Sequence, residues 1–227
     1  MKIRQLISAA FLMLLFATIS LAGPPLVCHT FDIANAKSLP WISDNWNLTG
    51  SESYDTNNLP ADTLAILGSD PTVLVHMETL RRAALYGAKD PAALKRLLLK
   101  LAARSDIVTS DNAAIAQFDL GYFAEILTQV HWIAKGFANP AQNLDGYARI
   151  KRSLQLRPND PQIEFAAALV TLEGPASDHQ RYTQAALVGA QSDPLLDRNL
   201  STHFIGPRSE TMTDLLSRNF SVKVARQ

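Results

Sequence analysis

Residues 144–174 read LDGYARIKRSLQLRPNDPQIEFAAALVTLEG, two apolar periodicities separated by a proline-bearing break. Tyr147, Ile150 and Leu154 fall at i, i+3 and i+7, on one face of a helix. Pro158 and Asn159 do not extend that helix, so the spacing predicts its end near Arg157. Asp160 can cap a second helix, with Pro161 at the first helical position, where its missing N–H costs nothing. Ile163, Ala166, Ala167 and Val170 repeat the helical spacing, and Phe165, Leu169 and Leu172 make the other side apolar. The second helix is therefore expected to be buried on more than one face. Such a hairpin cannot cover its own apolar faces without neighbours.

The same start signal recurs outward along the chain. Asp-Pro stands at Asp70, Asp90, Asp160 and Asp193. Asp160 and Asp193 are 33 residues apart, and Asp90 and Asp160 are 70 apart, close to one and two periods of about 34 residues. Helices are expected over 61–67, stopped by Gly68, from Asp70-Pro71 to near Gly87, and from Asp90-Pro91 with Leu94, Leu97, Leu98 and Leu101 as its stripe. A cap at Ser110 or Asp111 leads into a long helix with Ile115, Phe118, Tyr122, Ile126, Val130 and Ile133, ending at Gly136. Asn139-Pro140 reads as one more start. Further helices are expected over 177–190, from Asp193-Pro194, and over 209–218.

Ser153-Leu154-Gln155-Leu156-Arg157-Pro158-Asn159-Asp160-Pro161 resembles the end of a tetratricopeptide repeat's second helix and its link to the next repeat. Leu120-Gly121 resembles the Leu-Gly pair of a first helix, and the resemblance covers residues 112–193. It implies an all-α fold, a stack of antiparallel helical hairpins in the manner of a TPR-like α-solenoid, and a habit of binding other polypeptides rather than a catalytic site. Pro24-Pro25-Leu26-Val27-Cys28-His29 through Ser38-Leu39-Pro40-Trp41 also resembles the start of uncharacterised exported bacterial helical proteins, a resemblance that implies no activity.

The chain divides into three parts. Residues 1–22 read as a secretory signal peptide: Lys2 and Arg4 are its positive region, 6–19 its apolar core, and Ser20-Leu21-Ala22 supplies small residues for cleavage after Ala22. Retention as an anchor is the alternative. Residues 23–60 form an irregular segment, broken by Pro24, Pro25, Pro40 and Gly50. Phe31, Ile33, Leu39, Trp41, Trp46 and Tyr54 make it too apolar for a disordered tail, and Leu39-Pro40-Trp41 is expected to dock on the first helices. Residues 61–227 are the helical-repeat domain. The 227 residues, 47% hydrophobic, suffice for one well-cored domain. After Ala22, 19 basic residues face 21 acidic ones, a net charge of −2. That balance gives no footprint for nucleic acid, and no later apolar run is long enough to span a membrane. The expected location is periplasmic or secreted. Cys28 is the only cysteine, so no internal disulfide forms.

Candidate chemistry is sparse. Cys28-His29 could bind metal or haem, or His29 could activate the thiol. No C-x-x-C, second cysteine or H-E-x-x-H completes a ligand set, and a small buried thiol is the alternative. Asp119, Tyr122 and Glu125, at i, i+3 and i+6, could line a partner-binding groove. His76 and Glu78 fall on different helix faces. His131 beside Trp132 reads as a helix-interface polar residue. Asn199-Leu200-Ser201 matches a glycosylation acceptor, a pattern common by chance. No cofactor is called for. The function expected is that of an exported, non-catalytic helical-repeat protein binding a protein or peptide, with an enzyme or metal- or haem-binding protein using Cys28 and His29 as the alternative.

Overall fold

A computed structural model describes residues 24–42, 48, 50–69, 72–107 and 112–204. The signal peptide expected over 1–22, Trp46, the Asp70-Pro71 and Ser110-Asp111 starts and the helix expected over 209–218 lie outside the described residues. Among the described residues the protein is all-helical, with nine α-helices: α1 (Pro25–Cys28), α2 (Leu59–Ser69), α3 (Val73–Gly87), α4 (Pro91–Ile107), α5 (Ala113–Val130), α6 (Gly146–Leu156), α7 (Pro161–Val170), α8 (Ala176–Ala190) and α9 (Pro194–Phe204). A 3-10 turn, Thr56–Asn58, precedes α2. None of these helices is long and apolar enough to cross a membrane.

The capping aspartates behave as their position predicts. Asp90 Oδ1 accepts from the backbone N–H of Ala93 at 3.0 Å. Asp160 Oδ1 accepts from Gln162 and Ile163 at 3.0 and 3.1 Å, and Asp193 Oδ1 from Leu195 and Leu196 at 3.1 and 3.0 Å. Each satisfies amide donors that a first helical turn leaves open. Three boundaries differ from expectation. Helix α2 begins at Leu59, two residues before its expected start, and runs one residue past Gly68 to end at Ser69. Helix α5 ends at Val130, and Gly136, at φ +79°, sits in the turn beyond it. Asn139 caps only a turn, its Oδ1 accepting from Ala141 at 2.8 Å. The next helix instead starts at Asp145, which accepts from Ala148.

Helix α3 is the centre of the molecule. Every residue of it except Arg82 is buried, and α1, α2, α4, α5 and α7 all pack against it. No amphipathic stripe survives such enclosure, so even its charged residues must be satisfied inside. Helices α5 and α6 meet glycine to glycine. A Cβ on Gly121 would lie 2.6 Å from the Gly146 carbonyl, and one on Gly146 would lie 2.6 Å from the Gly121 carbonyl.

The N-terminal segment lies across this body. Leu26, Val27, Phe31 and Leu39 are buried, and Pro24-Pro25 opens the short α1 instead of preventing a helix. Leu39-Pro40-Trp41 docks on α3 as expected. Arg82 Nη1 donates to the Leu39 carbonyl at 2.6 Å, and the Tyr86 hydroxyl donates to the Pro40 carbonyl. The Trp41 ring meets Tyr86 edge-on at 5.7 Å and lies under the Arg81 guanidinium at 5.1 Å. Contacts also join the two ends of the described chain, Asp32 to Asn199 and Phe31 to His203.

Candidate functional site

Two regions stand out among the described residues, an enclosed polar network and an open groove. The enclosed one is built on α3. Glu78 is fully buried, and its carboxylate accepts from Arg81 Nε at 2.8 Å, Arg81 Nη2 at 2.9 Å, Arg82 Nε at 2.6 Å and the Phe31 backbone N–H at 3.0 Å. Burial alone would push this carboxyl up. The Arg81 hydrogen bonds, with the charges of Arg81 and Arg82, outweigh burial and hold it below its ordinary value. Arg81, also fully buried, donates through Nη1 to the Val27 carbonyl at 3.1 Å. Four donors on one carboxylate and three acceptor oxygens for one guanidinium pin the N-terminal segment to α3, so this is a structural lock. His76, which shares α3, points to another side: its Nδ1 lies 2.6 Å from Asp119 Oδ1, and Asp119 Oδ2 accepts from Arg104 Nη1 at 2.8 Å.

The residues singled out from the sequence are dispersed by this packing. Asp119 is spent on His76 and Arg104 and is 1% exposed. Tyr122 is fully buried, with its hydroxyl unbonded, and burial pushes it well above its ordinary value. Neither lines an open groove, because the face of α5 that carries them is covered by other helices. Glu125 turns instead to the start of α6, where burial raises its carboxyl and the Tyr147 backbone N–H partly offsets the rise. Asn199, in the glycosylation pattern, is 1% exposed and hydrogen-bonded.

Cys28 ends α1 half-buried, and His29 follows in extended backbone. Burial raises the thiol, against the pull of the Arg81 charge. That is opposite to the activated thiolate a reactive cysteine needs. The His29 ring lies 5.5 Å from His203, whose Nδ1 is 2.8 Å from the Asn199 carbonyl. Among the described residues no three His, Cys, Asp or Glu come together as a metal-ligand group. His131 is exposed beside Trp132, its Nδ1 on the Thr128 carbonyl.

The open region is a groove of about 530 Å³ between α7 and α8, lined by Asn159, Pro161, Glu164, Arg181, Gln184, Ala185, Val188 and Gly189. The two helices close at one end, where a Cβ on Gly189 would lie 2.0 Å from Pro161 Cβ. At the other end, His179 Nδ1 lies 2.9 Å from the Ala168 carbonyl. These contacts run the helices in opposite directions. Val188 is 57% exposed, while Glu164 is 8% exposed with Oε2 buried and unbonded. The sequence carried a signal for Glu164, a lone charge inside the apolar run Ile163–Val170. Arg181 and Val188 carried none, because an exposed arginine and an exposed valine are ordinary on a helix.

No protein-family model, curated protein or solved structure matches this chain.

Proposed function

We propose that this chain is an exported, non-catalytic helical scaffold that binds a polypeptide partner in the groove between α7 and α8. The observation that carries the reading is the groove itself: an open concavity of about 530 Å³ with an exposed apolar wall at Val188 and Glu164, Arg181 and Gln184 among its lining. Concave surfaces that join apolar contact with a few placed polar groups suit ligands. The antiparallel run of α7 and α8, and the Asp-Pro starts 33 residues apart that open α7 and α9, support a hairpin-stack reading in the manner of tetratricopeptide repeats. Export is supported by Lys2, Arg4, the apolar 6–19 and Ala22, and the proposed location is periplasmic or secreted.

A displayed peptide library panned on the purified full chain tests the reading. Enriched peptides are expected to bind the wild type and to lose at least about tenfold in affinity in Val188→Arg, a surface change that leaves the melting temperature intact. Failure to enrich any peptide, or binding indifferent to Val188→Arg, overturns it.

A further inference from the structure

Helix α9 ends the described chain, and its main helix neighbour is α8. The rest of its hold comes from the N-terminal segment. Asp32 shares hydrogen bonds with Asn199 and accepts from Arg198 Nε at 2.7 Å, and Phe31 stacks on His203 with ring centroids 4.5 Å apart. On its other side the segment is held by α3, where Glu78 accepts from the Phe31 N–H and Arg81 donates to the Val27 carbonyl. The clasp is therefore asymmetric, a buried charge network on α3 against polar and aromatic contacts on α9.

His203 closes the α9 side. A carbonyl only accepts, so His203 Nδ1 carries the hydrogen it shares with the Asn199 carbonyl at 2.8 Å. A further proton must enter at Nε2, which is buried without a hydrogen bond. Phe31 covers one face of the ring, and Phe165 meets it edge-on at 5.6 Å. An imidazolium enclosed there has a donor with no acceptor. Burial is the leading cause that holds the imidazole down to about 4. His29, whose ring lies 5.5 Å away, and Arg81 add to it, while the Asn199 carbonyl and Glu78 oppose it without prevailing. Of the other ionisable groups at the junction, Cys28 adjoins His29, Asp197 and Arg198 precede the ring on α9, and Asp32 is paired with Arg198. On α8, His179 faces Phe204 with ring centroids 6.0 Å apart.

We infer that this junction is an acid-released latch, in which a proton on His203 Nε2 drives the ring to water and α9 swings away from Phe31 and Asp32 while the N-terminal segment stays on α3. The α3 side holds because burial of Glu78 is outweighed by Arg81 and Arg82, which keep its carboxyl below its ordinary value. Burial would likewise raise Asp32, but Arg198 and the Ala34 N–H hold it down, so that pair also outlasts the titration of the imidazole. His203 alone sets the range. The closed state excludes the proton and the open state takes it near 6.5, so the opening constant rises about tenfold per pH unit as pH falls from about 6.5 toward about 4.

Native-state hydrogen exchange of the full chain, corrected for intrinsic rates and repeated in low urea, is the test. Protection of the α9 amides and of the Asp32 N–H is expected to fall about fifty- to a hundredfold between pH 7.5 and 4.5. Their exchange should be indifferent to low urea, as a local opening is. The Phe31 N–H, one residue away, should follow α3 instead, with higher protection and the urea dependence of global unfolding. His203→Phe keeps an aromatic ring on Phe31 and takes no proton, so most of the fall should vanish. The contrast between Phe31 and Asp32 uses the wild type and stands even if His203→Phe fails to fold. Equal, urea-dependent protection of α9 and α3 overturns the latch, since acid then acts only through global unfolding. Phe31 opening together with Asp32 overturns it too, as does a fall undiminished in His203→Phe.

Discussion

Asn199 and Asp32, 167 residues apart, exchange two hydrogen bonds: the Asp32 backbone N–H donates to Asn199 Oδ1 at 2.9 Å, and Asn199 Nδ2 donates to the Asp32 carbonyl at 2.9 Å. The side chain of α9 thus satisfies both backbone polar groups of a residue that lies outside any helix. One step away, Phe31 lies flat on His203, with ring centroids 4.5 Å apart. The N-terminal segment is clamped between α3 and α9.

Asn199→Ala is therefore expected to cost about 1–3 kcal/mol, because it leaves both Asp32 backbone groups without partners. Urea unfolding of the full chain measures it. A cost under about 0.5 kcal/mol would show that water replaces the clamp.

Glu78→Gln should be more damaging, by about 3–5 kcal/mol, since it removes the charge that balances a fully buried Arg81. The N-terminal segment should loosen with it, because the same carboxylate holds the Phe31 N–H. Limited proteolysis between Val27 and Leu39 reads this directly; unchanged resistance would sink the lock.

Two glycines should respond with opposite signs. Gly121→Ala drives a Cβ to 2.7 Å from Arg149 Cβ and should cost about 1–3 kcal/mol by separating α5 from α6. Gly68→Ala meets nothing within 4 Å inside α2 and should stabilise by about 0.5–1 kcal/mol. Paired thermal melts decide, and a shared sign would refute the assignment of these two environments.

Acid should weaken the protein through His203. Burial is the main cause that holds its imidazole down to about 4, from an unfolded value of 6.5. The unfolded chain then binds the proton first. Stability from this group is complete above about pH 6.5 and declines as pH falls toward about 4, by about 2–4 kcal/mol in all. His29, also lowered by burial and by Arg81, acts in the same direction. Urea midpoints between pH 7.5 and 4.5 for the wild type and His203→Gln test it. Parallel pH profiles would exclude His203 as the source.

Local structure was legible where one residue's chemistry suffices. Asp90, Asp160 and Asp193 announce their helices because a carboxylate followed by proline satisfies amides within the same turn, whatever surrounds it. Gly68 and Asn139 misled for the same reason in reverse: each permits a boundary, and only the surroundings determine whether the helix uses it. The docking of Leu39-Pro40-Trp41 on α3 was also legible, since a tryptophan carries roughly 150–250 Å² that must find cover.

The site was not legible in that way. Asp119, Tyr122 and Glu125 share a helical spacing, but spacing gives a direction from the helix axis and not what lies in that direction. Enclosure of α5 by its neighbours sent Asp119 to His76 and Arg104, buried Tyr122 and turned Glu125 toward α6. The periodicity and the caps dictated an all-helical chain, because those interactions close within a few residues. The clamp of Asp32 on Asn199, the charge lock at Glu78 and the burial of Glu164 beside Arg181 belong to the tertiary structure alone, because burial and partnership depend on groups brought together from distant parts of the chain.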